Sequence, residues 1–338
     1  MPCCISDYSE HDQQIWEEEL DDFVPQRVFD AHIHMLNHKH LSAQKKPQFA
    51  EWGEVDFRTL GAWAECLYPA RETHFLVLGT PIPGIDVNAH NEWAIHDLRV
   101  DPNSRMNRLV TPSCQVERIE DDIKKYGFAG LKPYRLFSVT GDVAQCRIHD
   151  FLPHAQLELA NALGLWVTMH LSRLHGCADD QNLTDLEEFT TKRYPKIKWI
   201  LAHCARSFTY WPIRQAIERL RAMPNIWYDT SAVTDVRPMI TLFAKENPKR
   251  ILYGSDGVDA TYFHGKYVAL GRAWQFMDMG QSDMKFPHCD GRPILSIYEQ
   301  LLSMKQAAQI VGLSHQNIED IFWRNAVELF GIQFAKAS

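Results

Sequence analysis

The sequence predicts an α/β protein folded as a (β/α)8 TIM barrel, and three observations carry the expectation. Eight short apolar runs recur along the chain, amphipathic segments of helical spacing separate most of them, and metal-competent side chains close several of the runs. The runs read as strands are 27–31, 75–79, 109–113, 129–132, 165–169, 198–202, 225–229 and 251–255. Helical spacing of apolar residues marks 116–126, 151–163, 183–194, 211–222 and 236–246, some opened by caps such as Asp150 and Thr184. A βα order repeated in this way implies a parallel sheet. Successive strand ends fall 19 to 46 residues apart, around the roughly 31 that eight units in about 250 residues would give. A doubly wound open sheet also alternates, but it normally has fewer strands, and no GxGxxG follows the first run.

The chain divides into an acidic N-terminal arm, 1–26, and a barrel, 27–338. The arm carries eight acidic residues and no Lys or Arg, and Ile15, Trp16, Leu20 and Phe23 suit a helix docking on the barrel or on another subunit of a homo-oligomer. It has no ligand pattern, so it is expected not to be catalytic. Two long loops, 35–65 and 257–292, follow the first and last strands on the face where barrel enzymes keep their chemistry. At the far end Ser314 to Gly331 reads as a terminal helix, with a Ser cap, apolar positions Ile318, Ile321, Phe322, Val327 and Phe330, and a closing Gly.

Composition narrows the class of function. With 338 residues, 45% apolar and 23% charged, disorder, collagen and coiled coil are excluded. The net charge of -8 comes from the arm, and the remainder is formally neutral with no Lys/Arg run, so neither nucleic acid nor an anionic membrane is an expected partner. No window approaches the roughly 18 apolar residues of a membrane helix, nor does the N-terminus look like a signal peptide, which leaves a cytoplasmic location by default. Eight cysteines lie scattered with no CxxC pair, and reduced thiols are expected.

Chemistry concentrates at strand ends. His32 and His34, two positions apart at the end of the first strand, share a face and can reach one metal ion. The same slot holds His170, His203 and Asp256 on three later strands, and barrel geometry gathers such ends around one pocket, where imidazoles and a carboxylate suit a zinc-like ion. With these residues in view, the sequence from Val28 to about Gly331 resembles the amidohydrolase superfamily, in particular the amidohydrolase-related branch of small-molecule hydrolases, lactonases and non-oxidative decarboxylases. The likeness rests on the first-strand DxHxH, on His170 and His203, on Gly254-Ser255-Asp256, and on the closing Ile321-Phe-Trp-Arg-Asn-Ala.

That resemblance implies that His32, His34, His170 and Asp256 hold one divalent metal, zinc first, with manganese or iron as alternatives. It also implies that His203 is an acid/base or electrophilic residue and that Asp256 relays a proton. Lys132, at the end of the fourth strand, would bridge a second metal with His203 if carboxylated, as in binuclear members; a single metal is favoured, and an unmodified Lys132 could bind a substrate oxygen. Asp30 is read by strand alternation as inward-facing, either orienting a ligand His or serving as a helix or loop hydrogen-bond partner beneath the site. Cys204 reads as a buried inert thiol and His38, His40 and His264 as exposed loop residues, while Trp52, Trp63, Tyr210, Trp211, Tyr262 and Phe263 suit either a pocket lining or loop packing.

Arg135, Arg173 and Arg206 each follow a strand-end residue by three positions, which would set them on neighbouring loops as a cationic arc for an anionic small-molecule substrate, most simply a carboxylate. The bland alternative is that each pairs with a loop acid or faces solvent. The leading functional expectation is a metal-dependent hydrolase of an amide, lactone or ester; its rival is a non-oxidative decarboxylase using the same ligands. A phosphodiesterase or deoxyribonuclease is disfavoured by Lys132 where a bridging Glu would stand, and a catalytically silent barrel by the intact ligand set.

Overall fold

The computed structural model describes residues 5–43, 53–258 and 260–333. Its strands are β1 (Arg27–Asn37), β2 (Glu54–Val55), β3 (Glu72–Gly79), β4 (Arg105–Leu109), β5 (Gly130–Lys132), β6 (Trp166–Met169), β7 (Lys198–Leu201), β8 (Ile226–Asp229), β9 (Ile251–Leu252), β10 (Gly265–Leu270) and β11 (Ala273–Asp278). The result is a mixed α/β fold with a curled sheet, in which β1 and β3 to β9 run parallel in sequence order and β2 adds antiparallel to β1. Beyond β9 the chain returns to β1: Ala31 N donates to Tyr253 O (2.8 Å), Asp256 N to His32 O (2.7 Å) and His34 N to Gly257 O (2.7 Å).

Helices occupy the expected intervals, at Val116–Tyr126, His154–Leu163, Asp180–Glu188, Tyr210–Ala222 and Val236–Lys245. The strand expected at 109–113 lies instead at 105–109, because Arg105, Asn107 and Arg108 hide it from a search for apolar runs. Their polarity is accommodated inside: Arg108 is buried against Asp122 (2.9 Å) and Asn88 (3.1 Å), and Asn107 donates to Thr168 (2.9 Å). The loop expected at 257–292 contains the β10–β11 hairpin. Cys66 is disulfide-bonded, a departure from the expected reduced thiols that spacing could not reveal, since a pair distant in sequence leaves no CxxC. Cys114, Cys146, Cys177, Cys204 and Cys289 are free. No helix among the described residues is long and apolar enough to cross a membrane.

Two apolar layers sandwich the sheet. One lies between strands and helices; the other, Phe29, Ala31, Leu76, Leu78, Trp166, Ile200 and Leu252, gathers side chains from β1, β3, β6, β7 and β9 and must face the inside of the curl. The terminal helix closes this inner layer from below, with Phe330 5.6 Å from Phe29 and 5.1 Å from Trp166 between ring centroids. Its Ser314 cap forms as the sequence suggests, and Asn317 completes a capping box with it.

The arm docks on the barrel. Ser9 caps the helix Glu10–Ile15, which continues as a wider turn, Trp16–Leu20, burying Trp16 and Leu20. Trp16 packs against Tyr68 and Tyr298, under the Arg71 guanidinium at 5.0 Å. Asp12, fully buried, accepts from His264 Nε2 (2.8 Å) and from Leu295 N (2.7 Å). Thus His264, expected as an exposed loop residue, is an anchor.

Removing the Trp16 ring should leave a large void, so Trp16→Ala is expected to lose about 3–5 kcal/mol in urea denaturation without loss of metal. The Asp12–His264 pair has its own pH window. The hydrogen bond to Asp12 outweighs burial and raises the His264 pKa above 6.5; burial pushes Asp12 up, but His264 and Ser9 together hold it below 3.8. The imidazolium contribution is complete below 6.5 and lost as pH rises through the raised value, whereas the carboxylate contribution is present above 3.8 and lost as pH falls through the lowered one. The stability difference between wild type and His264→Gln should therefore peak between 3.8 and 6.5 and shrink on either side.

Candidate metal centre and substrate cavity

A slip in β1 aims the first two histidines. Phe29 and Ala31 point into the inner apolar layer, the pairing register with β3 shifts between Asp30 and Ile33, and His32 and His34 then face the cavity. Asp30 consequently lies on the opposite side, where its Oδ1 accepts from the backbone N–H of His32 (3.0 Å) and Ser255 (2.9 Å). Burial pushes its carboxyl up to about 7. The inward placement expected from strict alternation is overturned by the bulge, and Asp30 holds backbone beneath the site.

His170 follows β6 directly, Lys132 ends β5, and Asp256 follows β9 in a left-handed conformation (φ 59°). His203 opens a short left-handed turn after β7: His203, Cys204, Ala205 and Arg206 have φ of 59°, 49°, 58° and 61°. Four such non-glycine residues cost roughly 1–2 kcal/mol each, and the turn is held by His203 N donating to Asp229 Oδ1 (2.9 Å) and Ser207 N to His203 O (2.8 Å). Gly254 is required by crowding, since a Cβ there would sit 2.8 Å from the His32 Cβ.

Four imidazoles present the same atom to the cavity. His34 Nδ1 donates to Leu78 O (3.2 Å), His170 Nδ1 to Leu171 O (3.0 Å) and His203 Nδ1 to Ser231 O (3.0 Å), while His32 Nδ1 meets Asp229 Oδ2 (2.9 Å). A carbonyl can only accept, so each Nδ1 there carries the proton and each Nε2 keeps a free lone pair. His32 Nε2 and His34 Nε2 lie 3.1 and 3.4 Å from Asp256 Oδ1. The donor atoms of His32, His34 and Asp256 all lie within 4.8 Å of one another, as do those of His32, His203 and Asp229. His170 joins neither group; its ring stands 5.1 Å from that of His203, on the same cavity wall. This set of nitrogen and oxygen donors, with tautomers already fixed by oxygen acceptors, fits a divalent cation.

Asp229 was missed by the sequence reading, although it ends the run 225–229 in the manner that singled out Asp256. Besides His32 and His203 N, it accepts from Ser231 N (3.1 Å) and Ser231 Oγ (2.5 Å). Burial opposes its ionisation, but His32 beside it brings the carboxyl down to about 2. Burial likewise drives His34 down to about 4 and keeps it neutral at pH 7. Lys132 is buried, its Nζ has no hydrogen-bond partner among the described residues, and burial lowers its pKa to about 8 against the pull of Asp256 and Asp229.

The cavity encloses about 410 Å3. His32, His34, His170, His203 and Asp256 form one pole; Thr80 to Pro83 and Tyr134 to Leu136 form one side; Phe208, Tyr267 and Trp274 form another. Of the three candidate arginines only Arg135 lines it. Arg173 is held by Asp179 (2.6 Å) and Gln145 O (2.7 Å), and Arg206 donates to Arg173 O, while the charges of Arg206 and Arg135 both act on His170 from beside the cavity. His38 bonds Gly53 O and His40 packs on His90, both away from the cavity. Trp63 and Tyr262 pack on each other, Tyr210 and Trp211 lie under Arg237 and Arg272, and Phe263 packs on Phe276; Trp52 lies outside the described residues. The pocket aromatics Phe208, Tyr267 and Trp274 were not foreseen, as two of them sit on the unrecognised hairpin.

The chain belongs to the amidohydrolase family: residues 30–332 match the family model of that description. Among solved structures it is similar to amidohydrolase 2 from Bifidobacterium longum subsp. infantis, at 14% identity and a TM-score of 0.53, covering 91% of this chain and 100% of that one. It is also similar to 5-carboxyvanillate decarboxylase from Sphingomonas paucimobilis (12%, TM-score 0.52, 91% and 100% covered). A third is a dihydroxybenzoic acid decarboxylase from Polaromonas sp. with bound manganese and the inhibitor 2-nitroresorcinol (13%, TM-score 0.53, 93% and 98% covered). No match was found among curated proteins.

Because Asp229 fixes the His32 ring, Asp229→Ala should weaken metal affinity by about 10- to 100-fold in competition with a chelator, with the fold retained by circular dichroism.

Proposed function

We propose that the protein is a metal-dependent, non-oxidative decarboxylase of a small aromatic carboxylic acid, working at the mouth of a closed (β/α)8 barrel. The observation that carries the reading is a continuous aromatic wall running outward from the metal pole. Phe208 lies 5.3 Å from His203, and Trp274 and Tyr267 lie 4.3 and 4.9 Å from Phe208, at interplanar angles of 34° and 22°. Such a wall stacks on a flat ring. The decarboxylase neighbours agree with this choice, and the Ile33–Gly257 bridge supports closure of the barrel.

One divalent ion, zinc with manganese as its alternative, is assigned to His32, His34, His170 and Asp256. When bound it supplies a Lewis-acidic pole that fixes and polarises the oxygen atoms of the substrate. Arg135 holds a substrate carboxylate: its Nη1 donates to Val143 O, and its Nε has no partner among the described residues. His203 takes up a proton from solvent at Nε2 and, as an imidazolium 4.0 Å from Asp256 Oδ2, passes it to the Asp256 carboxylate, which delivers it to the ring carbon bearing the departing group. The carbon–carbon bond breaks, carbon dioxide leaves, and the ring keeps the proton, so one proton is taken up per turnover.

Hydrolysis of an amide, lactone or ester is the second reading. It is favoured by Asp256, which faces the metal pole beside His32, His34 and His203 and stays ionised to accept a proton from water, since His32 and His203 hold its carboxyl well below its usual range against the push of burial.

Elemental analysis of the purified chain, followed by a panel of hydroxybenzoates, lactones and amides with carbon dioxide measured in the headspace, separates the two. Carbon dioxide release from an aromatic acid supports the first reading, hydrolysis without it supports the second, and protein that takes up no metal overturns both. Arg135→Met should raise KM for the accepted carboxylate about tenfold or more, the worth of a charged hydrogen bond, with metal content unchanged.

A further inference from the structure

We infer that Asp12, in the arm that lies outside the family match, is a positioning residue for the substrate cavity. The inference rests on the cavity assigned above.

Among the described residues Asp12 is the one carboxylate that grips both ends of the segment 264–295, which carries the β10–β11 hairpin and leads into the helix Ser296–Val311. Its Oδ2 takes the His264 ring, and its Oδ1 takes the Leu295 backbone N–H. His264 and Leu295 pair with each other as an isolated antiparallel bridge. The backbone of His264 is held as well, its N–H by Asp7 Oδ2 (2.9 Å) and its carbonyl by Met279 N (2.9 Å). One residue later β10 begins, and three residues later stands Tyr267, cross-strand from Phe276; Trp274 pairs with Ala269. Tyr267 and Trp274 are the hairpin's contribution to the cavity wall.

Away from its foot much of the hairpin is exposed: Leu270 to Gln275, Gly280 and residues 283–292. Among the described residues its further contacts include Thr234 Oγ1 donating to Tyr267 O (2.8 Å), the Lys266–Glu299 ion pair, Arg272 over the Trp211 ring at 4.4 Å and the stack on Phe208. A segment with few buried contacts opens easily, so a clamp at its foot decides where its aromatic side chains stand. The arm is thereby a working part of the pocket, although none of its described residues lines it.

The test compares full-length, metal-loaded wild type with Asp12→Asn, His264→Gln, the double variant and Ser9→Ala. Ser9→Ala removes the helix cap and the hydrogen bond from Ser9 Oγ to Asp12 Oδ2 (2.6 Å), but neither the His264 nor the Leu295 contact. Amide hydrogen exchange is read at 264–278, Tyr267 and Trp274 above all, and affinity is measured for 2,6-dihydroxybenzoate. Asp12→Asn and His264→Gln should each speed exchange in the hairpin and weaken the probe about fivefold or more, in the range of linked sites. The double variant should be no worse than the singles, because both break one contact. Unchanged exchange at Tyr267 and Trp274 in both single variants overturns the inference, as does equal loosening by Ser9→Ala or a faster hairpin with unaltered probe affinity. If wild type does not take the probe, the aromatic-acid reading fails on its own, and exchange at Tyr267 and Trp274 still decides the role of Asp12.

Discussion

A single buried carboxylate, Asp229, organises the centre. It fixes the tautomer of His32, ties down the first amide of the left-handed turn that presents His203, and is itself satisfied by Ser231. Remove its charge and two imidazoles on different strands lose their orientation together, since the hydrogen bonds that aim them converge on one side chain. Burying an anion is tolerated here because it accepts four hydrogen bonds and faces an imidazole; an unpaired one would cost several kcal/mol. Lys132 is buried beside it with no hydrogen-bond partner among the described residues, which leaves it an amine of lowered basicity within reach of the charges of Asp229 and Asp256.

Strain and compensation sit side by side around this carboxylate. The left-handed turn His203 to Arg206, the left-handed Asp256 and the slip in β1 are all departures from regular geometry, and each turns a polar side chain toward the cavity that a regular strand would have sent elsewhere. Regular packing resumes just below, where the inner apolar layer is filled by branched and aromatic residues from five strands. The site is irregular backbone resting on a regular floor.

Much of this was legible in the sequence because strand ends are where barrel topology collects side chains: His32, His34, His170, His203 and Asp256 could be placed on one pocket from their positions alone, and all five line it. What escaped did so for physical reasons. Asp30 was misplaced because alternation assumes an unbroken ladder, and β4 was set four residues late because buried Arg108 and Asn107 find partners that a hydropathy pattern cannot see. The β10–β11 hairpin carries its alternation within a stretch that is half exposed, so its Tyr267 and Trp274 looked like loop residues. Arg173 had the right spacing, yet Asp179 claims it; which acceptor a guanidinium chooses depends on loop paths that spacing does not encode.

The floor beneath the site also sets an order of assembly. Phe29, from the first strand, is stacked on Phe330, from the terminal helix, so the innermost layer joins segments far apart in the chain. During translation Phe29 emerges long before Phe330, and its inward apolar face stays uncovered until the plug arrives. A curled sheet floored by such a late arrival leaves apolar surface open in the interval, when chains can associate wrongly, and His32 and Asp256, on the first strand and after the last of the sheet, meet only once the strands between them have been made.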